Sequence, residues 1–401
     1  MVAFVSRLLN TPATAEHYLD RQASHRPEAL FVSHPGEDPD GAWWNPDLLF
    51  GLEHGSLVTP LEFRALFQGI APRNPTLRQD PDTGMKLTQN TGRANRTPGF
   101  DVCISPDKTV SALWAIASHP LQNQIAHAHD DAVRTALDMV VRGYCAWTRI
   151  RPKSHAPDVL LPARILGASF QRGTSRTGDP HLRTHVLIFN VAVADTGPYR
   201  AFHPRPMLFW QKTIGAIYRN ALAWNVTRNL RFDIEYHGTH NEFWRIRGFP
   251  EPLLRLWSKR RQSIQNRDAP LPKEARLYKG RALQNLRWDL QALEHIGDPD
   301  TFIETLPAFP LPAPNDRRLI DMQNLIDAIP DRLNNAKFPW RYPRFVAEAA
   351  NATAGLLPPQ DAFPVADRIV TDPRLVRLER HNDTADYRAD LHHIRLYSLA
   401  T

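Results

Sequence analysis

Residues 175–190, SRTGDPHLRTHVLIFN, decide how the rest of the chain is read. They set His181, Arg183 and His185 on alternate positions and then run into Leu187 and Phe189. Side chains alternate across a β-strand, so these five share one face that passes from polar to apolar. Gly178, Asp179 and Pro180 supply turn chemistry just before it, and the upstream run DVLLPARILGASFQ (158–171) is β-like. The two runs predict a hairpin in which Gln171 and Arg172 reach the polar end of that face. Two strand histidines are by themselves more often hydrogen-bonded structural residues than ligands, because a metal needs three or four donors.

Working outward, GFDVCIS (99–105) predicts a strand, and KTVSALWAIA after Pro106 an apolar helix. The segment 123–147 repeats apolar residues at a 3.6-residue rhythm through Ile125, Ala132, Leu137 and Val140, which predicts a long packing helix. TPATAEHYLDRQA and PLEFRALFQGI predict helices near the N-terminus. The segments around SHPGEDPDGAWWNPD and 72–96 read as loops. MLFWQKTIGAIYRNALAWNVTRNL predicts a further helix, followed by the hairpin RFDIEYH, GTHN, EFWRIRGF. Strands and long helices interleave, which predicts an α/β (α+β) fold. The chain turns helical and basic after residue 250, and LPAFPLPAPN (306–315) is Pro-rich. That predicts a main domain over 1–300, a linker over 301–315 and a C-terminal accessory domain over 316–401. The last reads helix, helix, strand, strand, and is winged-helix-like.

The 401 residues carry a net charge of +7, mostly from Arg, which favours bidentate contact with phosphate and so nucleic acid as a partner. Two cysteines, Cys103 and Cys145, are too few for a disulfide framework. No apolar run approaches the ~20 residues of a membrane helix, and MVAFVSRLLN lacks a signal peptide's apolar region, so a cytoplasmic protein without membrane contact is expected. A phosphate loop GxxxxGK[ST] is absent, so the chain carries no nucleotide-driven motor.

Four motifs taken together carry a resemblance. GFDVCISPDKTVSALWA is similar to the GxDLTFSAPKSVSxLxA segment of conjugative relaxases of the TrwC/TraI (MobF) type, and TSRTGDPHLRTHVLIFNV resembles their TSRxxDPQLHTHAVxxN segment. HYLDR resembles the start of their paired-tyrosine segment, and FWRIRGFP followed by WSKRRQSI resembles the region closing their nuclease domain. The similarity spans roughly residues 10–290 in order.

The resemblance implies a His-hydrophobe-His (HUH) endonuclease: a central antiparallel sheet flanked by helices, histidines holding a divalent metal (Mg or Mn), and a tyrosine that nicks single-stranded or hairpin DNA at an origin of transfer. Attack by the tyrosine leaves a 5′-phosphotyrosine and a free 3′-hydroxyl. Relaxosome accessory proteins, a separate helicase and a coupling protein are the further partners implied, in conjugation or plasmid mobilisation.

The departures from the pattern are specific. With TSR and DP in register, the first metal histidine falls on Arg172, the second on Arg183, and the third remains as His185; His181 stands where Gln is usual. An Arg charge ~6 Å from a divalent cation costs about 5 kcal/mol at an effective dielectric of about 20, which argues for loss of the metal. Arg172 and Arg183 are instead expected to contact the scissile phosphate. The family's reactive tyrosine falls on His17 and its neighbour on Tyr18, which leaves Tyr18 as the tyrosyl nucleophile. Asp101 matches the aspartate of GxDLTFS, and Lys108 the lysine of APKS. Asp130 resembles part of the family's AHDxAV and reads as structural.

Lys108, Arg176, Lys259, Arg260 and Arg261, with Arg93, Arg96 and Arg267, are the expected phosphate contacts; Trp43, Trp44, Trp244 and Trp257 are expected stacking residues. Two other readings stand beside this one. One is a catalytically degenerate relaxase homologue that binds origin DNA or regulates. The other is a metal-dependent hydrolase using His181, His185 and His203.

Overall fold

A computed structural model gives the structure, which describes residues 2–8, 12–19, 41–72, 84–91, 93–151, 158–175, 179–238, 242–259, 290–310, 340–371, 375–378 and 396–399. Its centre is a five-stranded sheet made from Val2–Arg7 (β1), Ala42–Trp44 (β2), Gly99–Ser105 (β3), Arg164–Thr174 (β6) and Pro180–Val193 (β7). The order is β1-β3-β7-β6-β2, and every neighbouring pair is antiparallel. This is the mixed α/β architecture that the sequence predicts, with the central antiparallel sheet that the resemblance implies. The 158–171 run is split, however. Val159–Pro162 (β5) pairs with Trp147–Ile150 (β4) in a separate two-stranded sheet, and only Arg164 onward joins β7. Neither β1 nor β2 was expected.

Close strand approach has a local cause at Gly99, where a Cβ would run into the Ile188 carbonyl of β7. β7 lies between β3 and β6, so its backbone is paired on both sides. One face of the sheet, with Val5, Val102, Ile104, Val186 and Ile188, packs into a large apolar cluster under Lys108–Ile116 (α3), His119–Ala136 (α4) and Arg205–Trp224 (α5). The other face, with Leu166, Ala168, Phe170, Leu187 and Phe189, is covered by Pro12–Leu19 (α1) and Pro60–Gln68 (α2). Sequence signals set α2 well. Thr59 caps the Glu62 N–H and its hydroxyl bonds the Glu62 carboxylate at 2.7 Å, Pro60 opens the first turn, and Gly69 ends the helix at φ 79°. α4 runs on into wider, π-type turns over Leu137–Cys145.

The C-terminal region departs from the expected division. Within the expected linker, Thr301–Thr305 is helical, the Asp233 N–H bonds the Pro307 carbonyl, and the Phe309 N–H bonds the Arg231 carbonyl. Further on, the helices Tyr342–Ala352 and Ala362–Val370 share the cluster of α3, α4 and α5. Thr213 of α5 bonds the Pro343 carbonyl at 2.7 Å, Arg219 bonds Asn351 at 2.7 Å, and Asn220 bonds the Ala350 carbonyl at 2.9 Å. The expected accessory unit is therefore fastened to α5 by buried apolar and polar contacts. Its described elements run strand, helix, helix, strand, strand, with a strand at Trp340–Arg341 ahead of the expected helices, and the short sheet is ordered Trp340–Arg341, Leu396–Leu399, Leu375–Leu378. Among the described residues, no helix is long and apolar enough to cross a membrane.

Candidate active site

Strand register builds the site. Arg172 of β6 faces Arg183 of β7, Phe170 faces His185, and His185 faces Cys103 of β3. Gln171 pairs with Thr184, so it projects to the opposite face from Arg172, against expectation. Asp101, two residues before Cys103, shares the site's face and reaches across to His185: its carboxylate oxygens lie 3.0 and 3.2 Å from Nδ1. On the ring's other side, Arg183 directs Nε–H at His185 Nε2 from 3.3 Å, and Cys103 Sγ is 3.8 Å from the same nitrogen. The Arg183 guanidinium is anchored by the carbonyls of Thr174 at 2.6 Å and His181 at 3.3 Å.

Tyr18 enters from α1 on the same side. Its ring meets His185 edge-on at 6.3 Å and Phe170 at 5.4 Å, and its hydroxyl is hydrogen-bonded to Asp101. Only 4 % of Tyr18 is exposed. Burial first, then the Asp101 charge, holds its hydroxyl well above the usual phenol range, so the resting group is protonated. Arg172 is also buried; it donates from Nη2 to the Tyr18 carbonyl at 3.2 Å and lies over the Phe170 ring. That contact fixes the last turn of α1. Burial opposes a charge on His185, but its hydrogen bond to Asp101 outweighs this and lifts its pKa to about 9. The Arg183 N–H pulls the other way, since it needs Nε2 bare.

The donor set does not fit a divalent cation. Among the described residues, no group of three His, Cys, Asp or Glu side chains could hold a metal ion. The Nε2 lone pair that a metal would take is met by a guanidinium, and the like charge opposes the ion. His203 is tied through its N–H to Trp147, away from the His181–His185 stretch. A hydrolase site built on His181, His185 and His203 is thereby contradicted.

The expected DNA-contact residues fare unevenly. Lys108 turns its ammonium to the Pro180 carbonyl at 2.6 Å, where burial lowers its pKa to about 8. The Lys259 N–H bonds the buried Asp179 carboxylate at 3.0 Å, with its ammonium 4.0 Å away. Both lysines thus flank the hairpin turn at the open end of β7. Arg176, Arg260, Arg261 and Arg267 lie outside the described residues. Arg96 is buried, bonded to the Phe67 carbonyl behind α2, and Trp43, Trp44, Trp244 and Trp257 are core residues at 1–2 % exposure. None of these five is placed to meet DNA; large aromatics went inside because burial of their area outweighs exposure. Asp130 pairs with Arg134 one helical turn on, as a structural residue. Cys103 was the site residue that sequence reasoning passed over; its signal was the alternation Asp101, Cys103, Ser105 along β3.

Comparison with known proteins identifies the family and the fold. The TrwC relaxase family model matches residues 12–288. Two Escherichia coli proteins named multifunctional conjugation protein TraI are 24 % identical, one over 353 residues and 79 % of this chain, the other, from strain K12, over 340 residues and 75 %. The chain spans only 18 % of their length. Among solved structures, metal-bound conjugative relaxase TrwC in complex with oriT DNA matches at a TM-score of 0.51 and 20 % identity, covering 72 % of this chain and 96 % of that one. TrwC complexed with a 27-mer comprising the recognition hairpin and cleavage site gives 0.52 and 18 %, covering 72 % and 96 %. With a family match across well over half of its residues and the sheet in common, the chain belongs to the TrwC relaxase family.

Proposed function

We propose that this protein binds single-stranded and hairpin DNA at an origin of transfer and nicks one strand by tyrosine transesterification. The observation that carries the reading is the chain of contacts Tyr18 hydroxyl, Asp101 carboxylate, His185 imidazole. A nucleophile bonded to a base, with the base bonded to a group that orients it, is the arrangement such chemistry requires. Tyr18 Oη attacks the scissile phosphorus, Asp101 takes its proton, and the 3′ oxygen departs and is protonated, leaving a 5′-phosphotyrosine and a free 3′-hydroxyl. Arg183 faces the phosphate oxygens and stabilises their developing charge. Arg172 acts through α1, holding Tyr18 in place.

TrwC is recorded bound to metal, and metal use belongs to the family. In this chain the site is degraded, and we assign the cation's electrostatic task to Arg183. Lys108 and Lys259 are assigned to the flanking phosphates, joined by Arg176, Arg260 and Arg261 from the same basic runs. We keep 316–401 as an accessory, winged-helix-like unit, a reading supported by the described helices Tyr342–Ala352 and Ala362–Val370, which pack on α5. Relaxosome accessory proteins, a helicase and a coupling protein complete the proposed setting, in the cytoplasm.

The deciding experiment is covalent capture. The protein is incubated with single-stranded DNA from its element's origin region, with and without chelator, and denaturant-resistant adducts are resolved on a gel. A chelator-insensitive adduct that disappears in Tyr18→Phe is expected. Sequence-preferring binding with no adduct would reduce the protein to an origin-binding homologue.

A further inference from the structure

We infer that Phe4 is a stacking platform for an unpaired DNA base beside the phosphate that Tyr18 attacks. The inference rests on the proposed function and adds a binding residue to it. Residues directly opposed in an antiparallel sheet project to one face. The register opposes Phe4 to Cys103, Cys103 to His185, and His185 to Phe170, so these four form one row across β1, β3, β7 and β6. At the usual strand spacing of about 4.8 Å, Phe4 stands two strands, or roughly 10 Å, from His185.

Cover fails progressively along that row. Phe170 is fully buried against Tyr18, His185 and Cys103 are half-buried, and Phe4 is 58 % exposed. Among the described residues, the helices that close this face reach Phe170 and, through Tyr18, His185, and Phe4 on β1 is left uncovered. A single exposed apolar residue needs no explanation on its own. This one lies in line with the nucleophile's neighbours, on a hydrogen-bonded strand, at the side from which a substrate can reach a buried Tyr18. A flat ring there offers a π-face to any base, and Arg183 supplies a cationic partner for the phosphate next to it. The occupant is a nucleotide of the strand being cut.

The test uses the full chain in a Tyr18→Phe background, so that binding is measured without cleavage. The probes are a single-stranded oligothymidine containing one 2-aminopurine, and the same strand carrying one disulfide-tethered base. Cys103 and Cys145 are the chain's two cysteines, and Cys145 is fully buried, so Cys103 is a built-in trap beside Phe4. Phe4→Ala is expected to bind roughly 5- to 150-fold more weakly and to lose the quenching of 2-aminopurine, while Phe4→Trp retains both. The tethered strand should cross-link to the protein, not to its Cys103→Ser variant, and less in Phe4→Ala. Unchanged affinity and quenching in Phe4→Ala, or a tightly bound strand that Cys103 never captures, would overturn the inference. If the parent forms no tyrosyl adduct but the cross-link and the Phe4 dependence appear, the nicking role falls and the stacking surface stands.

Discussion

Asp101 serves two partners at once, accepting the Tyr18 hydroxyl proton and orienting His185. Replacing it by Asn keeps the shape and removes the base, so Asp101→Asn should slow adduct formation by about 10²–10⁴-fold while leaving DNA affinity nearly unchanged; single-turnover gels and a gel shift separate the two. A second residue reports on stability rather than chemistry. His129 on α4 is fully buried between the Tyr218 hydroxyl at 2.7 Å and Thr184 at 2.9 Å, and burial lowers its pKa to about 3. A depressed folded value means the unfolded chain binds the proton more readily. The contribution is therefore present above the unfolded value near 6.5 and is lost as pH falls toward 3. Urea melts across that window should show acid destabilisation, and His129→Gln should flatten it. At this scale Tyr18, Asp101 and His185 were legible from sequence, because motif and strand periodicity name them. The capture of Arg172 by the Tyr18 carbonyl was not, since nothing local in either segment specifies contact over that separation.

Elements were readable where a pattern was long or its punctuation strong. β7 alternates through His185 and then runs apolar from Val186 to Phe189 after a Gly-Asp turn signal, and α2 has its Thr-Pro start and Gly stop. β1 and β2 escaped because they are short edge strands whose apolar residues lack a run long enough to set a period, and β2 sits in a Pro- and Gly-rich context that reads as loop. Edge pairing is also decided by the partner strand. The central β3–β7 pair is the more demanding contact. Gly99→Ala should push β3 off Ile188 and cost about 1–3 kcal/mol, measured by urea unfolding, with loss of adduct formation because Asp101 and Cys103 ride on the same strand. A control at Gly55, where a Cβ meets nothing within 4 Å, should show only the smaller strain of its φ of 81°.

Over the whole molecule, two apolar layers clasp one sheet, and the C-terminal helices complete the layer on the side away from Tyr18. Composition change had suggested a boundary near the Pro-rich segment, but the packing of Phe345, Val346 and Ile369 into the shared cluster depends on α5, and no sequence signal announces that contact. Deleting residues 311–401 should leave α5 with its apolar face and the Arg219 and Asn220 side chains unmet, giving a product that binds hydrophobic dye and melts without a sharp transition; a cooperative melt would mean the nuclease body is self-sufficient. The pair Arg172 and Arg183, opposed across β6 and β7, has a consequence for the medium in which the protein lives. Like charges fixed face to face raise the energy of the native state, and dissolved anions relieve it. The heat tolerance of this protein should therefore climb with added sulfate or phosphate more steeply than that of Arg183→Gln, so dissolved salt and a polyanion compete for the same relief of charge.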